Sequence, residues 1–189
     1  MKKILALIMA LIMLCLCAFT FVACGDDDKD DKDDKDVTTT KEPTPIPAGY
    51  KKFDNGDIYF GYPESWSKME QSGVSIIMGT TNTNNITVAG EAKTDLYENM
   101  DVDEFDTLIK PQLTAQGITV TNVAISNVQN DNGAKITKIT LNASVQGITM
   151  KQTMLILSTD DKTYCVTITE ATTDSDLVSN VFETLNYCE

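Results

Sequence analysis

Met154-Leu155-Ile156-Leu157 is an unbroken apolar run inside a strand-like segment, 147–158. Successive side chains of a strand point to opposite faces of a sheet, so this run predicts a central strand that is covered on both sides. Three more strand candidates lie around it in the chain, at 118–128, 134–144 and 163–169, with polar or glycine-containing turns between them. The C-terminal half is therefore predicted to contain four meandering strands.

Two strand pairs are predicted upstream. The segments 50–53 and 58–62 flank Asn55-Gly56, a dipeptide favoured in tight hairpin turns, and the second segment alternates apolar side chains. The segments 74–78 and 86–89 form a second pair across a polar loop.

Two amphipathic helices complete the pattern. The first is predicted to begin after the N-cap Asp101, with Glu104 three residues later, and to end at Gly117. Pro111 falls inside it, and because the apolar stripe continues past the proline we expect one kinked helix rather than two. The second helix is capped near Asp174. The apolar stripes are Val102, Phe105, Leu108, Ile109 and Leu113 in the first helix, and Leu177, Val178, Val181, Phe182 and Leu185 in the second.

The order of these elements, β-β-β-β-α-β-β-β-β-α, decides the fold class. Meandering strands interrupted by only two helices are typical of a sheet with helices packed on it. The sequence predicts an α+β domain, with a mostly antiparallel sheet of about 6–8 strands packed by two helices.

The first 23 residues have the layout of a secretory signal. A basic start, Met1-Lys2-Lys3, is followed by an almost wholly apolar run, and Cys24 opens an Asp-rich stretch. An uncleaved transmembrane helix is the alternative, since about 20 apolar residues can cross a bilayer. Phe21-Val22-Ala23-Cys24 resembles the lipobox of bacterial lipoproteins. The resemblance implies cleavage before Cys24, a lipid on its thiol, and a protein anchored to the cell membrane and facing outside the cytoplasm.

Residues 24–48 are predicted to be a disordered tether in front of a domain at 49–189. The run Asp26 to Asp36 contains only Asp and Lys, and residues 37–47 are rich in Thr and Pro, so neither part has an apolar face to bury. A calcium loop is the alternative for the Asp run, but the turn glycine and the terminal glutamate of an EF-hand are missing. A tether of this length reaches at most about 80 Å, which keeps the domain near the membrane.

The stretch Phe60-Gly61-Tyr62-Pro63-Glu64-Ser65-Trp66 and the order of strands and helices are similar to PsbP-like domains. That fold also occurs in the Ran-binding Mog proteins and in DcrB-type bacterial lipoproteins. The resemblance spans residues 50–187 and implies a PsbP-like α/β sandwich. Members of the family mostly act as binding or assembly factors, and no catalytic motif is carried over from them.

Composition argues against several functions. The formal net charge is −13, and residues 49–189 hold 9 lysines against 19 acidic residues, which leaves −10. Such a domain repels phosphate backbones, so nucleic-acid binding is disfavoured. The chain has no histidine and no arginine, which removes the commonest general base and the bidentate anion-binding group. We therefore expect a protein that is not an enzyme and that needs no cofactor or metal.

Trp66 and an acidic group near the first helix are the candidates for surface recognition. Trp66 could anchor an interface, but behind a strand-ending proline it is predicted to plug the core. The acidic residues could form a cation or docking site, but complementarity to the helix dipole and a solvated face is the favoured interpretation. They are Asp95, Glu98, Asp101, Asp103, Glu104 and Asp106.

Cys165 and Cys188 are the thiols that remain once a signal is removed and Cys24 is lipidated. Outside the cytoplasm such a pair favours a disulfide, and an antiparallel strand and helix would bring the two positions near each other. Against the bond, Cys165 alternates out of phase with the apolar residues of its strand. A redox role would need a neighbouring base or a Cys-x-x-Cys spacing, and neither is present.

Three functions follow as expectations. The first is a membrane-anchored lipoprotein that acts as a binding or assembly module for a neighbouring cell-envelope protein. The second is a lipoprotein that carries a small ligand to a membrane complex. The third, and least favoured, is a carboxylate-based hydrolase. A closed core with a patch on its surface would favour the first, a deep apolar pocket the second, and paired carboxylates in a cleft the third.

Overall fold

The computed structural model describes residues 43–79, 84–171 and 174–188. The predicted signal, Cys24 and the predicted tether up to residue 42 lie outside the described residues. The described part of the chain contains no helix that is long and apolar enough to cross a membrane.

The described residues form ten strands and three helices. The strands are β1 (Tyr50–Asp54), β2 (Ile58–Pro63), β3 (Ser67–Gln71), β4 (Val74–Met78), β5 (Asn85–Ala92), β6 (Thr119–Gln129), β7 (Lys135–Val145), β8 (Ile148–Ser158), β9 (Lys162–Glu170) and β10 (Asn186–Tyr187). The helices are α1 (Val102–Leu108), α2 (Lys110–Ala115) and α3 (Ser175–Thr184).

Seven strands form the main sheet, in the order β3-β4-β5-β9-β8-β7-β6, and every neighbouring pair is antiparallel. Strand β8 lies inside this sheet and is covered on both faces, as the apolar run predicted: Leu155 and Leu157 are buried on one face and Ile156 on the other. The predicted α+β class with a mostly antiparallel sheet is confirmed.

A three-stranded sheet, β1-β2-β10, packs with α3 on one face of the main sheet. Phe53 and Phe60 stack with their ring centroids 4.8 Å apart in this small-sheet core. Trp66 is 6% exposed and belongs to the same core, so the prediction that it plugs the interior is confirmed. Asp174 caps α3 by accepting a hydrogen bond from the Leu177 backbone, also as predicted.

Helices α1 and α2 pack on the other face and form the helix-side core. They are two short helices separated at Ile109, where the sequence predicted one kinked helix. Pro111 has no backbone N–H to continue the helical ladder, which accounts for a break just before it. Gly117 ends the segment as predicted: its φ is +80°, and the next backbone N–H, of Ile118, donates to the Leu113 carbonyl at 3.0 Å.

All eight predicted strands are present, and two further strands were missed. Strand β3 has the sequence Ser67-Lys68-Met69-Glu70-Gln71, and all five residues are exposed, so it lacks the alternation that marks a half-buried strand. Strand β10 has only two residues, which pair with Tyr59 and Ile58 of β2. Both strands form because they pair with a neighbouring strand, β4 or β2, and neither has a sequence pattern that predicts a strand.

The last residues of the predicted tether contact the domain. The Thr44 backbone N–H donates to Asn132 Oδ1 at 2.6 Å. The Ile46 side chain lies over Gly61, where an added Cβ would come within 3.2 Å of Ile46 Cδ1. The chain therefore packs on the domain from Thr44 onwards, five residues before the predicted boundary at 49.

Candidate functional site

A polar cleft of about 530 Å³ lies at one end of the main sheet, beside the turn between β1 and β2. Residues of β3, β4, β5 and β9 and of the turns beside them line it, and they include three carboxylates and one lysine. We call it the polar cleft; the residues that line it are Asn55, Glu70, Gly73, Ser75, Val88, Gly90, Glu91, Ala92, Asp161, Lys162 and Tyr164.

Asp57 fixes two of these lining residues. It follows the Asn55-Gly56 turn, in which Gly56 takes a φ of +91° that favours glycine. Asp57 Oδ2 accepts hydrogen bonds from Lys162 Nζ, at 2.8 Å, and from the Tyr164 hydroxyl. These hydrogen bonds lower the pKa of Asp57, and burial together with the Asp57 carboxylate raises the pKa of Tyr164. The result is an ionised carboxylate and a neutral phenol, held together at the cleft wall.

The Tyr164 ring lies against Gly90 of the neighbouring strand. A Cβ built at Gly90 would be 2.6 Å from Tyr164 Cε1, which is closer than non-bonded carbon atoms approach. Glycine at this position therefore lets the ring approach β5 closely while its hydroxyl reaches Asp57.

Among the carboxyl groups that line the cleft, Glu91 has an unusually high pKa. Burial raises the pKa of Glu91 from 4.5 to about 7, and its Oε1 is buried with no hydrogen-bond partner in the described structure. A carboxyl group with this pKa exchanges its proton near neutral pH, which ordinary surface acids do not do.

We expect this carboxyl group to make the domain less stable as the pH rises through neutrality. Below pH 4.5 the side chain is protonated in both the folded and unfolded states. Between pH 4.5 and about 7 the unfolded chain ionises while folded Glu91 keeps its proton, so the free energy of unfolding falls. Because part of the side chain reaches solvent, the loss should be about 1–2 kcal/mol.

Urea unfolding at pH 5 and pH 8 measures this effect. Glu91→Gln should be more stable than the wild type at pH 8 and close to it at pH 5, with Glu64→Gln, an acid outside the cleft, as the control. An equal pH dependence in wild type and Glu91→Gln would contradict the assignment.

Glu70, which also lines the cleft, is held in its ionised form. Ser75 Oγ donates to Glu70 Oε1 at 2.7 Å, and Lys68 Nζ lies 3.1 Å from the same oxygen. The Ser75 hydrogen bond, with Lys68, lowers the pKa of Glu70. The cleft thus presents permanent negative charge beside one carboxyl group that titrates near pH 7.

A second cleft of about 540 Å³ adjoins the first through Asp161 and contains Cys188. The Cys188 thiol lies 3.4 Å from Asp54 Oδ1, and its backbone N–H donates to the Asp57 carbonyl at 2.9 Å. Burial and Asp54 raise the pKa of Cys188 above its ordinary value, which disfavours the reactive thiolate.

The structure does not form the Cys165–Cys188 disulfide. Cys165 is buried in the helix-side core, whereas Cys188 lies beside β2 on the small-sheet side of the main sheet. Cys165 and its neighbour Tyr164 point to opposite faces because they are consecutive residues of β9. The alternation that argued against the bond in the sequence is thus the physical reason for its absence.

Three of the six predicted acidic residues around α1, Asp101, Glu104 and Asp106, have structural partners. Asp101 and Glu104 form a capping box, in which each side chain accepts a hydrogen bond from the other residue's backbone N–H. Asp106 pairs with Lys110 one turn later at 2.9 Å. Within 43–79, 84–171 and 174–188, no group of three or more acidic or cysteine side chains is arranged to hold a metal ion.

The residues of the polar cleft were not identified from the sequence. Asp57 is separated from Lys162 by 105 positions and from Tyr164 by 107, and no local motif marks any of the three. Glu91 reads as an ordinary polar residue at the end of a strand. Only the pairing of β5 with β9, and the position of the β1–β2 turn, bring them together.

Comparisons with known proteins add the fold but no function. No family model matches the chain, and no curated protein matches it. A protein of known crystal structure from Bacteroides thetaiotaomicron is 13% identical with a TM-score of 0.51, over 75% of this chain and 49% of that one. LpqN of Mycobacterium tuberculosis, described as involved in cell envelope biogenesis, is 13% identical with a TM-score of 0.41, over 74% of this chain and 91% of its own.

At this identity the likeness to the Bacteroides protein shows the fold alone, and the chain spans about half the length of that protein. The resemblance to PsbP-like domains is not confirmed by these matches.

Proposed function

We propose that the chain is a lipid-anchored extracytoplasmic lipoprotein whose domain binds a neighbouring cell-envelope protein through the polar cleft. Cys24 carries the lipid, and the residues between it and Thr44 connect the membrane to the domain. The domain itself acts as a binding module and not as an enzyme. This proposal combines the lipobox-like sequence with the geometry of the cleft.

The observation that carries the proposal is the preorganised polar wall of the cleft. Asp57, Lys162 and Tyr164 hold one another in place, and Glu70 is held by Ser75. Groups that are fixed before a partner arrives lose little side-chain entropy on binding. Burial and the Asp57 carboxylate raise the pKa of Tyr164, which disfavours its ionised, nucleophilic form, so we assign the cleft to recognition and not to covalent catalysis.

The charge of the cleft indicates the partner's chemistry. Glu70, Glu91 and Asp161 line it with one lysine, Lys162, in a domain of net charge −10. A complementary partner surface presents lysine or arginine side chains and hydrogen-bond donors, which would be attracted over a distance before contact. The resemblance to PsbP-like domains, whose members mostly act as binding or assembly factors, points the same way.

A ligand-carrying lipoprotein is the second candidate, because the cleft volume is in the range of small-molecule sites. The polar rim would then select a cationic or hydrogen-bonding ligand. An apolar cargo is not favoured, since Val88 and Ala92 are the only aliphatic side chains among the residues that line the cleft.

Site-specific photo-cross-linking on intact cells tests the proposal. A photoreactive residue at Ala92, which is exposed on the cleft wall, should give an adduct with one envelope protein. The same residue at Asp176, exposed on α3, is the control and should not give that adduct. Cys24→Ala should abolish incorporation of labelled fatty acid and reduce the adduct, because the domain is then no longer held at the membrane.

If Ala92 gives no adduct that Asp176 lacks, the binding function of the cleft is wrong. If the adduct forms equally with Cys24→Ala, the role of the anchor is wrong. A small-molecule carrier would instead show no protein adduct at Ala92, while a ligand would copurify with the wild-type protein and be lost with Asp57→Ala.

A further inference from the structure

Strand β6 is an edge of the main sheet with an unusual composition. It follows β7 at the end of the strand order, and no described strand pairs with its outer side. No charged residue occurs between Lys110 and Asp131, a span that includes all of β6 and all of α2 except its first residue, Lys110. Most of β6 is exposed, so this edge offers backbone N–H and C=O groups without the charges that usually protect them.

The opposite edge, β3, has the usual protection. It is five residues long, against eleven in β6, and it carries Lys68 and Glu70 as an ion pair at 3.1 Å. Short, charged edges discourage strand addition. The two edges of one sheet are therefore built differently, and only β6 is left open to a further strand.

A regular half of β6 is available for pairing. The register with β7 shifts between Thr121 and Ala124, where Asn122 takes a φ of +55°. This bulge makes the first half of β6 irregular and less able to pair with a further strand. From Ala124 to Gln129 the register is continuous. Ile125 and Val128 lie half-buried on the two faces of this stretch, and a further strand beside them would cover more of their apolar surface.

We infer that the β6 edge pairs antiparallel with the β6 edge of a second copy of this chain, joining two seven-stranded sheets into one. Each domain carries a net charge of −10, so two copies repel unless they meet where charge is missing. Strand β6, which has no charged side chain, is such a place. An uncharged strand is also complementary to itself, because a twofold axis places no like charges opposite each other.

The path of the tether supports the same partner. Thr44 contacts Asn132, in the turn that directly follows β6, so the described part of the chain begins beside this turn. If the protein is anchored as proposed above, copies in one membrane present their β6 edges at similar heights and at high local concentration. This argument rests on the proposed anchoring; the charge argument does not.

Co-purification of two differently tagged full-length copies from the same cells tests the inference. Wild-type copies should co-purify, and Ala124→Glu in both copies should reduce the yield about fivefold to tenfold, because it gives this edge a charge of the kind that discourages strand addition. Ala124→Lys in both copies should reduce the yield as well, since a charge of either sign protects an edge. Ala124 is exposed and faces the neutral Thr140, so the fold should tolerate either charge, with an unchanged melting temperature as the check.

Met69→Glu on the exposed β3 edge is the matched control and should leave the yield unchanged. Failure of wild-type copies to co-purify would overturn the inference, as would full yield with Ala124→Glu in both copies. If Ala124→Glu instead releases a different protein, the edge binds another partner and self-pairing is wrong. None of these results depends on the adduct at Ala92, so the polar cleft is tested separately.

Discussion

Replacing Asn130 by alanine is expected to destabilise the domain by about 3–4 kcal/mol, although the residue lies in a turn. Asn130 is 6% exposed. Its Nδ2 donates to the carbonyls of Phe182, at 2.9 Å, and Leu185, at 2.6 Å, which belong to the end of α3. Its Oδ1 accepts from the Ala134 backbone at 3.0 Å. Removing the amide takes these partners from buried backbone groups, of which the Leu185 carbonyl keeps only a longer contact of 3.4 Å from Asn132 Nδ2. Each buried group left unpaired costs about 1–3 kcal/mol.

The same amide explains how α3 ends without a glycine. The last carbonyls of a helix have no partner inside it, and here a side chain from the β6–β7 turn supplies the donors. One residue thus joins the main sheet to the helix that covers the small-sheet core. Losing it should loosen both elements together.

Urea unfolding of three variants at pH 7 measures the effect. Asn130→Asp should be at least as damaging as Asn130→Ala, because it replaces the donor by a negative charge facing two carbonyl oxygens. Asn132→Ala is the control from the same turn; its contacts are less buried, so it should cost about 1 kcal/mol. If Asn130→Asp matches the wild type, the orientation of this amide is wrong.

Gly90→Ala should destabilise the domain by about 2–3 kcal/mol through steric overlap with Tyr164. Alanine normally suits a strand better than glycine, and the Gly90 backbone has no special conformation that alanine could not adopt. The overlap at 2.6 Å must therefore be relieved by moving the ring. The ring is 5% exposed and tied to Asp57, so it cannot move without breaking that hydrogen bond.

A double-mutant cycle with Tyr164→Ala separates this cause from any other. Once the ring is gone, Gly90→Ala should be neutral or slightly stabilising, which gives a coupling energy of about 2 kcal/mol. Additive effects of the two substitutions would contradict the proposed contact. Because the ring forms part of the polar cleft, Gly90→Ala should also weaken whatever binding the cleft performs.

The polar cleft and the edge of β6 differ in how far a sequence can predict them. The cleft depends on contacts between residues about 100 positions apart, such as Asp57 with Tyr164, and no spacing rule reports such contacts. The edge is visible as an uncharged stretch, but its meaning depends on where β6 lies in the strand order. The raised pKa of Glu91 likewise depends on burial that the strand pattern does not reveal.

Sequence alone determined the α+β class, the eight main strands, the caps at Asp101 and Asp174, and the burial of Trp66. These follow from local physics: side-chain alternation, turn dipeptides and helix capping act between residues close in the chain. The tertiary structure decided the break at Ile109, the strands β3 and β10, the separation of Cys165 from Cys188, and the assembly of the cleft. Each of these depends on contacts between residues far apart in the chain. Such contacts form only when the strands pair and the two sheets pack together.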